Sequence, residues 1–72
     1  MEGSHEIVEV GATVVVDFGE GPETYRYETI AGEGCIGSTS PIGAALGGKR
    51  AGDYVQVQTP GGSYRVQIVA VS

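Results

Sequence analysis

Residues 40–62 read SPIGAALGGKRAGDYVQVQTPGG, and this stretch holds a helix, a turn, a strand and a second turn. Ser40 before Pro41 is a helix start. A serine hydroxyl can accept a hydrogen bond from the first helical turn, and proline at the first helical position lacks only an N–H that would have no partner there anyway. Ile42, Ala45 and Leu46 fall at i, i+3 and i+4, which places them on one apolar face. Gly47-Gly48 ends the helix. The predicted helix over 41–46 is barely two turns, too short to persist alone, so it must lie on another apolar surface. That surface follows directly. Residues 54–59, YVQVQT, alternate with Val55 and Val57 on one side and Gln56 and Gln58 on the other, which is the period of a half-buried strand. Residues 51–53 form the turn into it, and Pro60-Gly61-Gly62 forms a hairpin turn out of it.

Working outward, residues 63–71 (SYRVQIVAV) form the return strand, with Tyr64, Val66, Ile68 and Ala70 expected on one side. Upstream, residues 13–18 (TVVVDF) set Val14, Val16 and Phe18 against Thr13, Val15 and Asp17. Gly19-Glu20-Gly21-Pro22 is a turn, and residues 23–30 (ETYRYETI) answer it with Tyr25 and Tyr27 on one face. Residues 31–34 are a short loop and residues 35–39 a short extended segment. The expected fold is α+β: a small antiparallel sheet with one short helix over part of one face. Residues 1–6 read as a disordered lead, and residues 7–72 as a single domain.

The chain has 72 residues, 13 of them glycine. That is enough for one small domain, whose core supplies only ~3–5 kcal/mol of net stability. Nine acids face four bases, for a net charge of −5. Residues 1–33 carry eight acids and Arg26 alone as a base, a net of −7, while residues 34–72 set Asp53 against Lys49, Arg50 and Arg65, a net of +2. An acidic chain repels phosphate backbones, which argues against direct nucleic-acid binding and for a protein partner with a basic surface. Cys35 is the single cysteine, so no internal disulfide can form, in keeping with a reducing compartment. No apolar run approaches the ~18 residues of a membrane span, and the polar, acidic start is not a secretory signal. The expected location is the cytoplasm.

The pattern of residues 40–62 resembles the C-terminal domain of the Gre transcript-cleavage factors: S-P, a small-residue helix with Ala-Leu, a Gly-Lys, then G-D-x-V-x-V-x-T-P-G-G. Gly11-Ala12-Thr13-Val14 and Thr24-Tyr25 match the opening hairpin of the same domain, so the resemblance runs from about residue 11 to residue 71. It implies an FKBP-like fold that docks on bacterial RNA polymerase, at the β′-subunit rim of the secondary channel. The implied docking surface is Thr39, Ser40 and Pro41, with Ile42 behind them. In the family a separate N-terminal coiled coil, whose tip acids hold a catalytic Mg²⁺, promotes cleavage of backtracked RNA. No segment here shows heptads, so the resemblance implies polymerase binding that modulates elongation, with no enzyme activity and no cofactor or metal. Thr39 stands where the family often has Asp or Asn, and the loop at 31–34 is shorter than the family's.

Other readings stand beside this one. The chain could be the excised domain of a full-length Gre factor, or an FKBP-like interaction domain with another protein partner. Prolyl isomerases of that fold use an aromatic cage with a Trp at its floor, and this chain has no Trp and a single Phe, Phe18. Ser40-Pro41 also serves as a plain helix cap. Lys49-Arg50 reads as a solvated pair, Asp53 as a turn-fixing side chain, Tyr25, Tyr27 and Tyr64 as sheet packing, and Cys35 as a small buried hydrophobe. His5, the lone histidine, has no neighbouring ligands in sequence, and the glutamates are scattered, so no metal site or nucleophilic triad is expected. The oligomeric state is left open, since exposed strand edges could pair.

Overall fold

The computed structural model describes residues 5–72. Five strands and one helix follow in the order β1 (Thr13–Asp17), β2 (Pro22–Glu28), β3 (Cys35–Gly37), α1 (Pro41–Leu46), β4 (Tyr54–Thr59) and β5 (Gly62–Val71). They form one sheet in the order β3-β2-β1-β5-β4. The expected α+β fold, a small sheet with one short helix, is present. Of the expected lead at residues 1–6, residues 1–4 lie outside the described residues; the His5 imidazole contacts the Glu9 carboxylate.

The β1–β2 hairpin closes through Asp17. Its carboxylate accepts hydrogen bonds from the backbone N–H groups of Gly19 at 2.6 Å and Gly21 at 3.3 Å. Both glycines sit at φ near +112°, a region L side chains rarely adopt, so the turn depends on their lacking a Cβ. At the other hairpin, Thr59 Oγ1 donates to the Gly62 carbonyl at 2.6 Å. Asp53 fixes its turn as expected, accepting from the Arg50 N–H at 2.8 Å.

Two features differ from the sequence reading. The sheet is mixed rather than wholly antiparallel: β3 runs parallel to β2, pairing Arg26 with Cys35 and Glu28 with Gly37. Parallel neighbours normally need a long crossover. Here residues 29–34 suffice, because β3 is three residues long and its start needs to return only to mid-β2. Gly34 turns at φ +74°, and its carbonyl accepts from the Arg26 N–H at 3.0 Å. The second difference is a β-bulge. Val15 faces Ala70 but Val16 faces Ile68, so Val69 is unpaired and the alternation reverses beyond it. Ala70 is therefore exposed, and Val71 packs on the core in the place expected for Ala70.

The core lies between the inner face of the sheet and α1. Val14, Val16, Val57, Val66, Ile68 and Leu46 are fully buried, joined by Tyr27, Ile36, Val55 and Val8. Val8 enters from outside the sheet. Its N–H donates to the Lys49 carbonyl and its carbonyl accepts from the Gly48 N–H, both at 2.9 Å, which ties the N-terminal segment to the exit of the helix. No helix among the described residues is long and apolar enough to cross a membrane.

Candidate functional site

The helix start is held by three residues that leave no slack. Ser40 caps α1: its Oγ accepts from the Gly43 N–H at 3.1 Å and donates to the Gly37 carbonyl at 2.7 Å. Gly43 presses on the end of β3 so closely that a Cβ there would stand 1.8 Å from the Gly37 oxygen. From β2, beside β3, the buried Tyr27 hydroxyl donates to the Gly43 carbonyl at 2.7 Å. Burial raises the pKa of that phenol, because the anion would lose solvation. Ser40, Gly43 and Tyr27 thus fix where the first turn sits on the sheet.

On this frame the four predicted site residues are contiguous but not equivalent. Thr39 and Pro41 are exposed, whereas Ser40 is half-buried in its capping bonds. Ile42 is half-buried and packs against the core. The site is a rigid, uncharged knuckle with a threonine hydroxyl and a proline ring outward. No acidic residue lies in the first helical turn. Such a surface suits contact with a preformed partner, since little side-chain or backbone freedom remains to be lost on binding.

The other sequence candidates separate from it. Lys49 and Arg50 are exposed beyond the far end of the helix. Cys35 is half-buried rather than fully buried, because it opens the edge strand β3. Among the described residues no three His, Cys, Asp or Glu side chains gather to hold a metal. A depression of about 250 Å³ lined by Asp17, Phe18, Gly19, Tyr54, Arg65 and Gln67 lies away from the knuckle, and falls below the ~300–1,000 Å³ of ordinary ligand pockets. Sequence reasoning missed Gly43 and Tyr27 as the residues that position the site. A signal was present: glycine inside so short a helix costs about 1 kcal/mol of helix propensity, which close packing explains.

The profile of the family described as "Transcription elongation factor, GreA/GreB, C-term" matches residues 3–72. The chain belongs to this GreA/GreB C-terminal family. It is 36% identical over 74 residues to the transcription elongation factor GreA of Thermomicrobium roseum, an alignment covering 97% of this chain and 47% of the relative. It is 44% identical over 75 residues to that of Geobacillus kaustophilus, covering 92% and 46%. Among solved structures, Gfh1 of Thermus aquaticus superposes with a TM-score of 0.73 at 26% identity, over 97% of this chain and 50% of that one. GreA factor homolog 1 (Gfh1) of Thermus thermophilus superposes at 0.67, also at 26% identity, over 100% and 52%. The GreA/GreB-type chain therefore spans about half the length of the curated relatives it matches. It is a transcription elongation factor domain, and its mixed sheet with one short helix is the C-terminal fold of that family.

Proposed function

We propose that the domain binds bacterial RNA polymerase at the β′-subunit rim of the secondary channel through Thr39, Ser40, Pro41 and Ile42, and modulates elongation from there without cleaving RNA itself. The observation that carries this reading is the knuckle: two exposed side chains, Thr39 and Pro41, on a helix start locked by Ser40, Gly43 and Tyr27. The net charge of −5 supports a protein partner over nucleic acid. The match to about half of each GreA relative favours one variant, in which this domain is the docking half of a two-part factor and any cleavage chemistry belongs to the other half.

The test is titration of the domain against core RNA polymerase, with Thr39→Ala and Pro41→Ala alongside. Both residues are exposed, so each substitution leaves stability within about 0.5 kcal/mol of the parent. Saturable binding, weakened by both and displaced by a full-length GreA factor, supports the reading. Equal binding by all three proteins, or no binding at tens of micromolar, refutes docking through this knuckle. A backtracked-complex assay with the domain alone tests the second claim: RNA shortening above background would show that the domain cleaves.

A further inference from the structure

The helix covers only part of the inner face. It packs on β3 and β4, and at the end of the sheet where the β1–β2 and β4–β5 turns lie the inner face carries three aromatic rings. Tyr25 stands directly opposite the buried Val14, and Tyr64 opposite the buried Val57, so both point to the inner face. Phe18, just beyond β1, lies between them. Its ring centroid is 6.4 Å from Tyr25 in an edge-on arrangement and 6.2 Å from Tyr64 in a tilted one. The cluster continues the core, yet Phe18 is 37% exposed and Tyr64 41%.

Its rim is acidic. The adjoining turn carries Asp17, Glu20 and Glu23 and no base. Glu23 leans over the cluster, accepting from the Tyr25 hydroxyl at 2.5 Å, and this bond is the leading cause that raises the Tyr25 pKa. Two cations near the cluster already have partners, although Arg65 borders the same depression as Phe18. Arg26 lies opposite Thr13 and pairs with Glu28 at 3.2 Å, and Arg65 sits 5.8 Å over the Tyr54 ring. Rings whose faces are electron-rich and bordered by carboxylates are complementary to a cation on an apolar stem.

We propose that the Phe18–Tyr25–Tyr64 surface is a second docking face, whose occupant is a protein segment with Lys or Arg spaced among apolar residues. The apolar positions cover the exposed ring area, and the cations reach the ring faces and the carboxylates of Glu20 and Glu23. The inference is independent of the polymerase reading, because it uses no residue of the Thr39–Ile42 knuckle.

The probe is a synthetic peptide of Lys and Leu with the Leu spaced at i, i+3, i+4 and i+7 to form an amphipathic helix, with a second peptide carrying Glu in place of each Lys. Binding to the intact domain is followed by amide chemical-shift perturbation and by titration at low and high salt. The Lys peptide is expected to shift amides of residues 17–25 and 63–65 and to weaken with salt, while the Glu peptide does not bind. Combined Phe18→Ala and Tyr64→Ala substitution weakens the Lys peptide by about tenfold or more, the loss of two ring contacts. Glu20→Gln with Glu23→Gln, which leaves the ring packing in place, weakens it by several-fold and flattens the salt dependence. Shifts centred on residues 39–42, equal binding of both peptides, or unchanged affinity in the charge variant would each overturn the proposal.

Discussion

Replacing Gly43 by alanine sets two effects of opposite sign against each other. On helix propensity alone, Gly43→Ala stabilises the domain by about 1 kcal/mol. The structure reverses that. The added methyl would stand 1.8 Å from the Gly37 carbonyl oxygen, 2.7 Å from its carbon and 3.0 Å from the Ser38 Cα, all of them backbone atoms. Ordinary contact begins at 3.4 Å, so the helix start must retreat by about 1.6 Å. A retreat of that size breaks the 2.7 Å bonds from Tyr27 Oη to the Gly43 carbonyl and from Ser40 Oγ to the Gly37 carbonyl. Overpacking costs ~1–3 kcal/mol, and leaving the buried Tyr27 hydroxyl unsatisfied costs a further ~1–3 kcal/mol. After the propensity gain is subtracted, a net loss of about 1–5 kcal/mol remains, a large share of the stability of a domain this size. Urea unfolding followed by circular dichroism reads it directly. At a slope of ~1 kcal/mol per molar for so small a protein, the midpoint should fall by about 1 M or more, or the protein should be unfolded without denaturant. A midpoint equal to or above that of the parent would show that the helix does not press on β3.

Three further outcomes follow from the same contacts. Ser40→Ala removes the cap and should lower stability by ~1 kcal/mol, with Ser40→Thr recovering part of it; no change in the urea midpoint would mean the cap is idle. Asp17→Ala frees the N–H groups of Gly19 and Gly21 and should cost about 1 kcal/mol, read as a lower melting temperature. The folded-state pKa of Tyr27 is raised by burial and that of Tyr25 chiefly by its bond to Glu23. Above the ordinary tyrosine value near 10 the unfolded chain therefore loses these protons first. The stability they contribute is full below that pH and is lost as pH rises through the raised folded values. Tyr27→Phe should flatten this alkaline decline, at the expense of about 1 kcal/mol at neutral pH from the lost bond to the Gly43 carbonyl.

The parts of the fold that can be read from sequence are those with local causes. The helix bounds at Pro41 and Leu46 follow from a cap, a proline and a glycine pair within residues 40–48, and β4 follows from Val and Gln in alternation. What the sequence does not show is set by distant partners. Nothing in CIG dictates that it pair parallel to β2, since that depends on where residues 29–34 return the chain. Residues 68–71 of β5 are all apolar, so the sequence does not mark where the inward positions shift, and only the register against β1 reveals the bulge. Val8 looks like any apolar residue near an end, until the exit of the helix supplies both its backbone partners.

The same division applies to the site. Ser40 and Pro41 are visible as a helix start whatever they bind, but their use as a docking surface depends on what lies beneath. In this chain the inward positions carry the stability: Ser40 through its hydroxyl, Gly43 through its missing side chain, Leu46 through full burial. The outward positions, Thr39 and Pro41, carry almost none, so they can change without unfolding the domain. Thr39 stands where the resembling family often has Asp or Asn, and nothing in the frame below it requires a threonine. A substitution there is thus free to tune a partner contact, whereas one at Gly43 or Tyr27 removes the platform together with whatever binds to it. Binding lost with the fold intact therefore identifies the docking surface, and binding lost together with the fold identifies its support.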